Sequence, residues 1–193
     1  MKFIPQDIPD VLVIEPAKHG DERGYFVETF RQDKLEDFLG FKVNFIQDNQ
    51  TLSTKGVLRG LHFTLPPYAQ SKLVRVIDGS VLDVVVDLRK GSPSFGQHVA
   101  VELSGNNKKQ MFTPRGFAHG YVTLTDTATF LYKVDNYYSP ESDRGLAFDD
   151  IDLGIDWCLS KDQLILSEKD IQQPCLADLS EYFDYSCNYY EKN

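Results

Sequence analysis

Short runs of Val, Ile, Leu, Phe and Tyr, cut by Gly, Pro, Asn and Asp, constrain this chain more than any other feature. They include "VLVIEP", "GYFVETF", "VNFIQDNQ", "GVLRGLHF", "KLVRVI", "SVLDVVVDLR", "HVAVEL", "KQMFTP", "GYVTLT" and "TATFLYKV". Runs of this length between turn residues read as strands. Helical periodicity is scarce: Leu35, Phe38 and Leu39 make a narrow stripe in residues 31–40 with Gly40 placed to end it, and "SEKDI" suits a second short helix. Many strands and a few short helices predict an all-β sandwich or small barrel, whose interior fills with side chains or holds a ligand. Asp78-Gly79, between "KLVRVI" and "SVLDVVVDL", predicts a two-residue turn joining them as a hairpin. Asp83 and Asp87 share one face of that second run and are expected at solvent or at a strand end.

A chain of 193 residues, 41% hydrophobic and 12% aromatic, can bury one sizeable core. A single domain over residues 1–193 is expected, with a core of about 1–170 and a tail, 171–193, that packs on the body or reaches a partner. The net charge of −9 argues against nonspecific nucleic-acid binding, which needs many Lys and Arg contacts to phosphate. A small anionic ligand would have to be held by cations gathered locally. Cys158, Cys175 and Cys187 suit neither a disulfide framework nor a zinc ribbon, so a reducing compartment is expected. The N-terminus has no basic region followed by an apolar run, and no apolar stretch approaches the roughly 20 residues that span a bilayer. The expected location is cytoplasmic, with no membrane partner.

One stretch gathers cations: "GVLRGLHFTLPPYAQSKLVRV", residues 56–76, carries Arg59, His62 and Lys72. Simple alternation puts Arg59 and His62 on opposite faces of a strand, while Gly56 and Gly60 leave room for a bulge or for a close ligand. His119, in "PRGFAHGYV", reads as a turn histidine bonding its own backbone, the alternative being a metal site shared with His62. A metal site built on both is poorly supported, since there is no His-x-His pair and no carboxylate closely follows either histidine. His19 and His98 read as solvated. Arg23 and Glu28 frame "DERGYFVETF" and suit ordinary surface polarity; Gln47, Asp48 and Asn49 suit a strand end; Tyr132 and Lys133 suit a core tyrosine and a surface lysine. A phenol with a pKa near 10 is a proton donor at neutral pH.

In order along the chain, "GDERGYFVETF", "FIQDNQTLSTKGVLRGLHF", "PPYAQSKLVRVIDGSVLDVVVDLRKGSPSFG", "PRGFAHGYVTL", "FLYKVDNYYSPE", "IDW" and "LSEKD" closely resemble the dTDP-4-dehydrorhamnose 3,5-epimerase family of cupin-like sugar-nucleotide enzymes. The resemblance runs from about the first strand to about Asp170. It implies a cupin-like jelly-roll β-sandwich, a homodimer in which an N-terminal segment of one subunit completes the other's pocket, and no metal or organic cofactor. The implied substrate is a dTDP-linked 4-keto-6-deoxy sugar. By resemblance His62 is the base, Asp170 orients and charges its imidazole, Tyr132 is the acid on the other face and Lys72 stabilises the enolate oxygen. Arg59 and Arg23 hold the diphosphate; Glu28, Gln47, Asp48 and Asn49 contact nucleotide or sugar; His119, Asp143 and Lys169 complete the pocket. Two positions depart from the family's usual pattern: Phe148 stands for a tryptophan, keeping the capacity to stack, and Asp143 stands for a glutamate.

These residue types belong together chemically. A C–H next to a ketone is weakly acidic, so its removal needs a positioned base and a cation where oxygen gains charge. Inversion then needs a second group on the opposite face. The rival readings are an enzyme of the same family that inverts C3 alone or takes another 4-keto nucleotide sugar, a non-catalytic sugar-nucleotide binder, and a metal-dependent cupin enzyme. A binder has no need of base, acid and enolate cation together.

Overall fold

The structure, a computed structural model, describes residues 1–191; Lys192 and Asn193, the last two positions of the expected tail, lie outside the described residues. The strands in chain order begin with β1 (Lys2–Pro5), β2 (Leu12–Glu15), β3 (Lys18–Asp21) and β4 (Gly24–Val27), followed by helix α1 (Gln32–Leu39). The body then contains β5 (Gln47–Thr54), β6 (Leu58–Thr64), β7 (Lys72–Asp78), β8 (Ser80–Asp87), β9 (Arg89–Lys90), β10 (His98–Ser104), β11 (Gln110–Thr113), β12 (Phe117–Thr123), β13 (Thr127–Val134) and β14 (Asp143–Gly145). A one-turn helix α2 (Glu168–Ile171) and the short β15 (Phe183–Asp184) follow. Both expected helices form, and Gly40 ends α1 in the left-handed conformation, where its missing Cβ removes the steric cost. In "VNFIQDNQ" pairing starts only at Gln47, because Val43 is instead buried beneath α1.

Two antiparallel sheets face each other, one ordered β1-β2-β11-β7-β13-β5 and the other β10-β8-β12-β6-β14. From β5 to β8, and again from β10 to β14, each successive strand crosses to the other sheet. This is the cupin-like jelly-roll, and it overturns the hairpin expected at Asp78-Gly79. Gly79 does adopt positive φ (79°), but the turn is a corner between sheets: β7 lies between β11 and β13, and β8 between β10 and β12. A Cβ on Gly79 would stand 2.1 Å from the Thr127 carbonyl oxygen, so the corner requires glycine.

Three apolar layers explain the sequence pattern. Val74, Val76, Val81, Val85, Leu103, Met111 and Phe130 fill the space between the sheets. Leu58, Leu61, Phe63, Leu82, Val84, Val86, Leu146, Trp157 and Phe183 lie on the far face of the five-stranded sheet, covered by the chain after β14. Leu12, Ile14, Leu73 and Phe112 sit under Leu35 of α1 on the far face of the six-stranded sheet. Being covered on both faces, β8 is buried at every position, and its alternation is therefore weak. The same burial overturns the solvent-facing reading of Asp83 and Asp87, both wholly buried. Asp87 accepts from Arg89 Nε (2.9 Å), Ser92 Oγ (2.7 Å) and Ser94 Oγ (2.7 Å), which satisfies its charge. The expected tail lies back on the body, with Phe183 2% exposed and β15 paired in parallel with β9. Among the described residues no helix is long and apolar enough to cross a membrane.

Candidate active site

The site begins with an irregularity in β6. Opposite β12, His62 pairs with His119 and Arg59 with Tyr121, so two residues of β6 lie between positions separated by one residue of β12. That extra residue shifts the alternation: Leu58, Leu61 and Phe63 all enter the outer core, while Arg59 and His62 face the same cavity. Simple alternation, which separates them, fails here. Gly60 carries the shift with φ of 129°, and a Cβ on it would lie 2.5 Å from Gly120 Cα and 2.9 Å from the His119 carbonyl oxygen.

The cavity, about 410 Å³, lies between the sheets. Register places the other side chains: Lys72 begins β7, Tyr132 lies on β13 opposite Val74 and Asn49, and His119 stands on β12 opposite Val85. Asp170 comes from α2, whose start is built by Ser167. The Ser167 Oγ accepts from the Asp170 backbone N–H (3.2 Å), and its hydroxyl donates to Asp170 Oδ2 (2.8 Å). The other carboxylate oxygen, Oδ1, lies 2.5 Å from His62 Nε2. The His62 side chain lines the cavity and is 31% exposed. Burial acts to raise Asp170, but the hydrogen bonds from His62 and Ser167 and the charge on Lys169 outweigh it and hold the carboxyl below its usual range.

Burial pushes Lys72 down to about 8, against the pull of the Asp143 and Asp83 carboxylates. Burial likewise raises Tyr132, with Tyr121 adding to the shift and Arg59 opposing it, so the phenol keeps its proton at neutral pH. His119 is a buried strand residue rather than a turn histidine: its Nε2 lies 2.8 Å from Asp83 Oδ2. Burial raises Asp83 despite His119 and Lys72, and its Oδ1 has no hydrogen-bond partner among the described residues. The roof is Tyr121, stacked on Phe130 (4.2 Å between centroids) with its hydroxyl 2.8 Å from Thr51 Oγ1. Arg59 lines the cavity with its Nε donating to Ser53 Oγ at 3.1 Å.

The structure thus brings together His62, Asp170, Lys72, Tyr132, His119 and Arg59. Gln47 and Asn49, on the inner-facing positions of β5, bond each other at 2.8 Å beside Tyr132. Asp48 does not join them, because strand alternation turns it to the outer face, where Lys133 Nζ donates to it at 2.8 Å. Lys169 and Asp143 pair at 2.5 Å in a neighbouring recess and do not line the cavity. Arg23 sits at the tip of the β3–β4 hairpin paired with Asp21 (2.5 Å), and Glu28 lies 3.3 Å from Lys34; neither reaches the cavity. Phe148 does not stack there either, being packed in the outer core with its carbonyl accepting from Trp157 Nε1. Sequence reasoning missed Asp83, Tyr121, Thr51 and Ser53 as parts of the site. A carboxylate inside a run of valines was the available signal for Asp83, because a buried charge needs a partner.

A jelly-roll sandwich holding a carboxylate-backed imidazole, a desolvated lysine and a half-buried tyrosine in one cavity defines the class: an acid–base enzyme working between its sheets. The family model described as dTDP-4-dehydrorhamnose 3,5-epimerase matches residues 5–178. The enzyme of that name from Shigella flexneri is 50% identical, covering 95% of this chain and 99% of the relative. The crystal structure of the 3,5-epimerase from Legionella pneumophila in complex with dTDP-4-keto-L-rhamnose has a TM-score of 0.91 at 45% identity, covering 96% of this chain and 99% of that one. A 3'-monoepimerase from Streptomyces bikiniensis in complex with dTDP-quinovose is more distant, with 34% identity and a TM-score of 0.84 over 90% of this chain and 87% of that one. The chain belongs to the dTDP-4-dehydrorhamnose 3,5-epimerase family.

Proposed function

We propose that this protein inverts C3 and C5 of dTDP-4-dehydro-6-deoxy-D-glucose, giving dTDP-4-dehydro-L-rhamnose. The observation that carries the reading is the His62–Asp170 pair sharing one cavity with Lys72 and Tyr132. His62, through Nδ1, takes the proton from the carbon beside the C4 ketone, and the electron pair moves onto the ketone oxygen. Lys72 donates to that oxygen as it gains charge, and Asp170 stabilises the imidazolium. Tyr132 delivers its proton to the opposite face, restoring the ketone with the centre inverted. His62 then releases its proton and Tyr132 regains one from solvent, so the balance closes and the cycle repeats at the second carbon. Each positioned acid or base contributes on the order of 10²- to 10⁴-fold, so all three groups are needed for a useful rate. Arg59 holds the diphosphate, with Gln47 and Asn49 against the sugar or nucleotide and His119 supporting the inner wall.

The remaining expected contacts fit a homodimer. Among the described residues the β3–β4 hairpin pairs only with itself, and it exposes Tyr25 (53%) and Phe26 (69%). In this reading it enters a second copy's cavity, carrying Arg23 to the diphosphate and Glu28 to the nucleotide. Asp143 and Lys169 line the outer edge of the same binding path. The reading carries a cytoplasmic location with it, as three free cysteines suit a reducing compartment.

Proton NMR of the keto-sugar nucleotide incubated with the protein in D2O tests the proposal. Deuterium is expected at both C3 and C5. Exchange at C3 alone would assign the chain to single-centre chemistry, and no exchange at either carbon would overturn the reading.

A further inference from the structure

The family match ends at residue 178, yet the chain beyond it returns to the end of the sandwich that holds Lys72. Strand register sets Lys72 beside Thr113 of β11 and Val134 of β13. Just past those three positions, Ser71, Arg115 and Asp135 form a closed set. The Ser71 backbone N–H donates to Asp135 Oδ1 at 2.6 Å, and Arg115 Nε donates to Asp135 Oδ2 at 3.1 Å. Tyr190 completes the set from the tail. Its hydroxyl oxygen accepts from the Arg115 backbone N–H at 3.0 Å and shares a hydroxyl–hydroxyl bond with Ser71 Oγ, 2.7 Å away. Arg115 Nη1 also donates to the Tyr189 carbonyl at 2.6 Å, and the Tyr190 ring packs on Phe41 at 4.3 Å. Ser71 is fully buried and the Asp135 side chain 3% exposed, so water does not compete for these bonds.

We propose that Tyr190 is a positioning residue for Lys72: from the outer face of the sheet its hydroxyl, through Ser71 and Arg115, fixes the chain where it enters β7 and so sets where Lys72 stands. The inference rests on the role given to Lys72 above. Tyr190 does not line the cavity, so it acts through the strand ends it ties together. Burial lowers the pKa of Lys72, so a change in where the ammonium stands would show in its titration.

Tyr190→Phe tests this while keeping the ring that packs on Phe41. Two readouts are needed: steady-state kinetics, and the pH dependence of Lys72 acetylation by acetic anhydride, followed by peptide mass spectrometry. The expected result is a kcat loss on the order of tenfold with KM within about twofold, as for a misplaced reacting group. The Lys72 labelling midpoint should move up as the ammonium leaves its buried position. An unmoved labelling midpoint overturns the proposal, whether kcat holds or falls, because the tail would then not act on Lys72. If Lys72→Met turned over at the wild-type rate, the role of Lys72 would fall instead, and the labelling of Tyr190→Phe would still decide whether the clasp positions that lysine.

Discussion

Lys72 shows how one residue's surroundings set its chemistry. An ordinary lysine near 10.5 would be a permanent cation at working pH, whereas burial brings this one to about 8. As pH rises through that value the ammonium loses its proton, and in the proposed mechanism the enolate oxygen would lose its donor. For the free enzyme, kcat/KM should therefore fall on the basic side near pH 8. Lys72→Arg, which keeps its charge, should lose that limb even if its rate is lower. A wild-type profile flat to well above pH 8 would remove Lys72 from this role. At the same scale the residue types were legible in the sequence but their partners were not. His119 reads as a turn histidine until β8 brings Asp83 to within 2.8 Å, a contact between positions 36 apart in the chain.

At the scale of elements, strands and helices follow from local pattern, and the failures lie where tertiary structure overrides it. The Asp78-Gly79 dipeptide has the conformation a hairpin needs, yet it turns a corner, because the partners of β7 and β8 lie elsewhere in the chain. Alternation in β6 fails through one extra residue at Gly60, and that failure builds the site by bringing Arg59 and His62 to the same face. Gly60→Ala tests the point. Holding alanine in this conformation costs about 1–3 kcal/mol, and each kcal/mol lowers Tm by roughly 2–4 °C in a domain of this size. Relaxing the bulge would also separate Arg59 from His62, so turnover should fall together with Tm. Full activity at an unchanged Tm would show that the bulge does not hold the site.

At the scale of the molecule, the five-stranded sheet is covered on both faces, and the β3–β4 hairpin stands apart from both sheets with Tyr25 and Phe26 exposed. If the hairpin is exchanged, one site uses His62 of one subunit and Arg23 of the other. Co-expressed His62→Ala and Arg23→Ala chains should then give mixed dimers with one intact site, and activity above that of either variant alone. Activity no higher than the better single variant would return Arg23 to its own subunit's surface. The sheet architecture and the central residues of the cavity were legible because strand rhythm and family motifs are local. The crossing order of the strands, the outward turn of Asp48 and the clasp made by Tyr190 arise from long-range register, which local pattern does not carry. The central claim is that two groups on opposite faces exchange one carbon's proton. The most direct measurement compares deuterium entry with inversion at C3 and C5 for the wild type and Tyr132→Phe in D2O. The variant should still exchange through His62 while inversion falls far behind; exchange and inversion in the wild-type ratio would contradict the account.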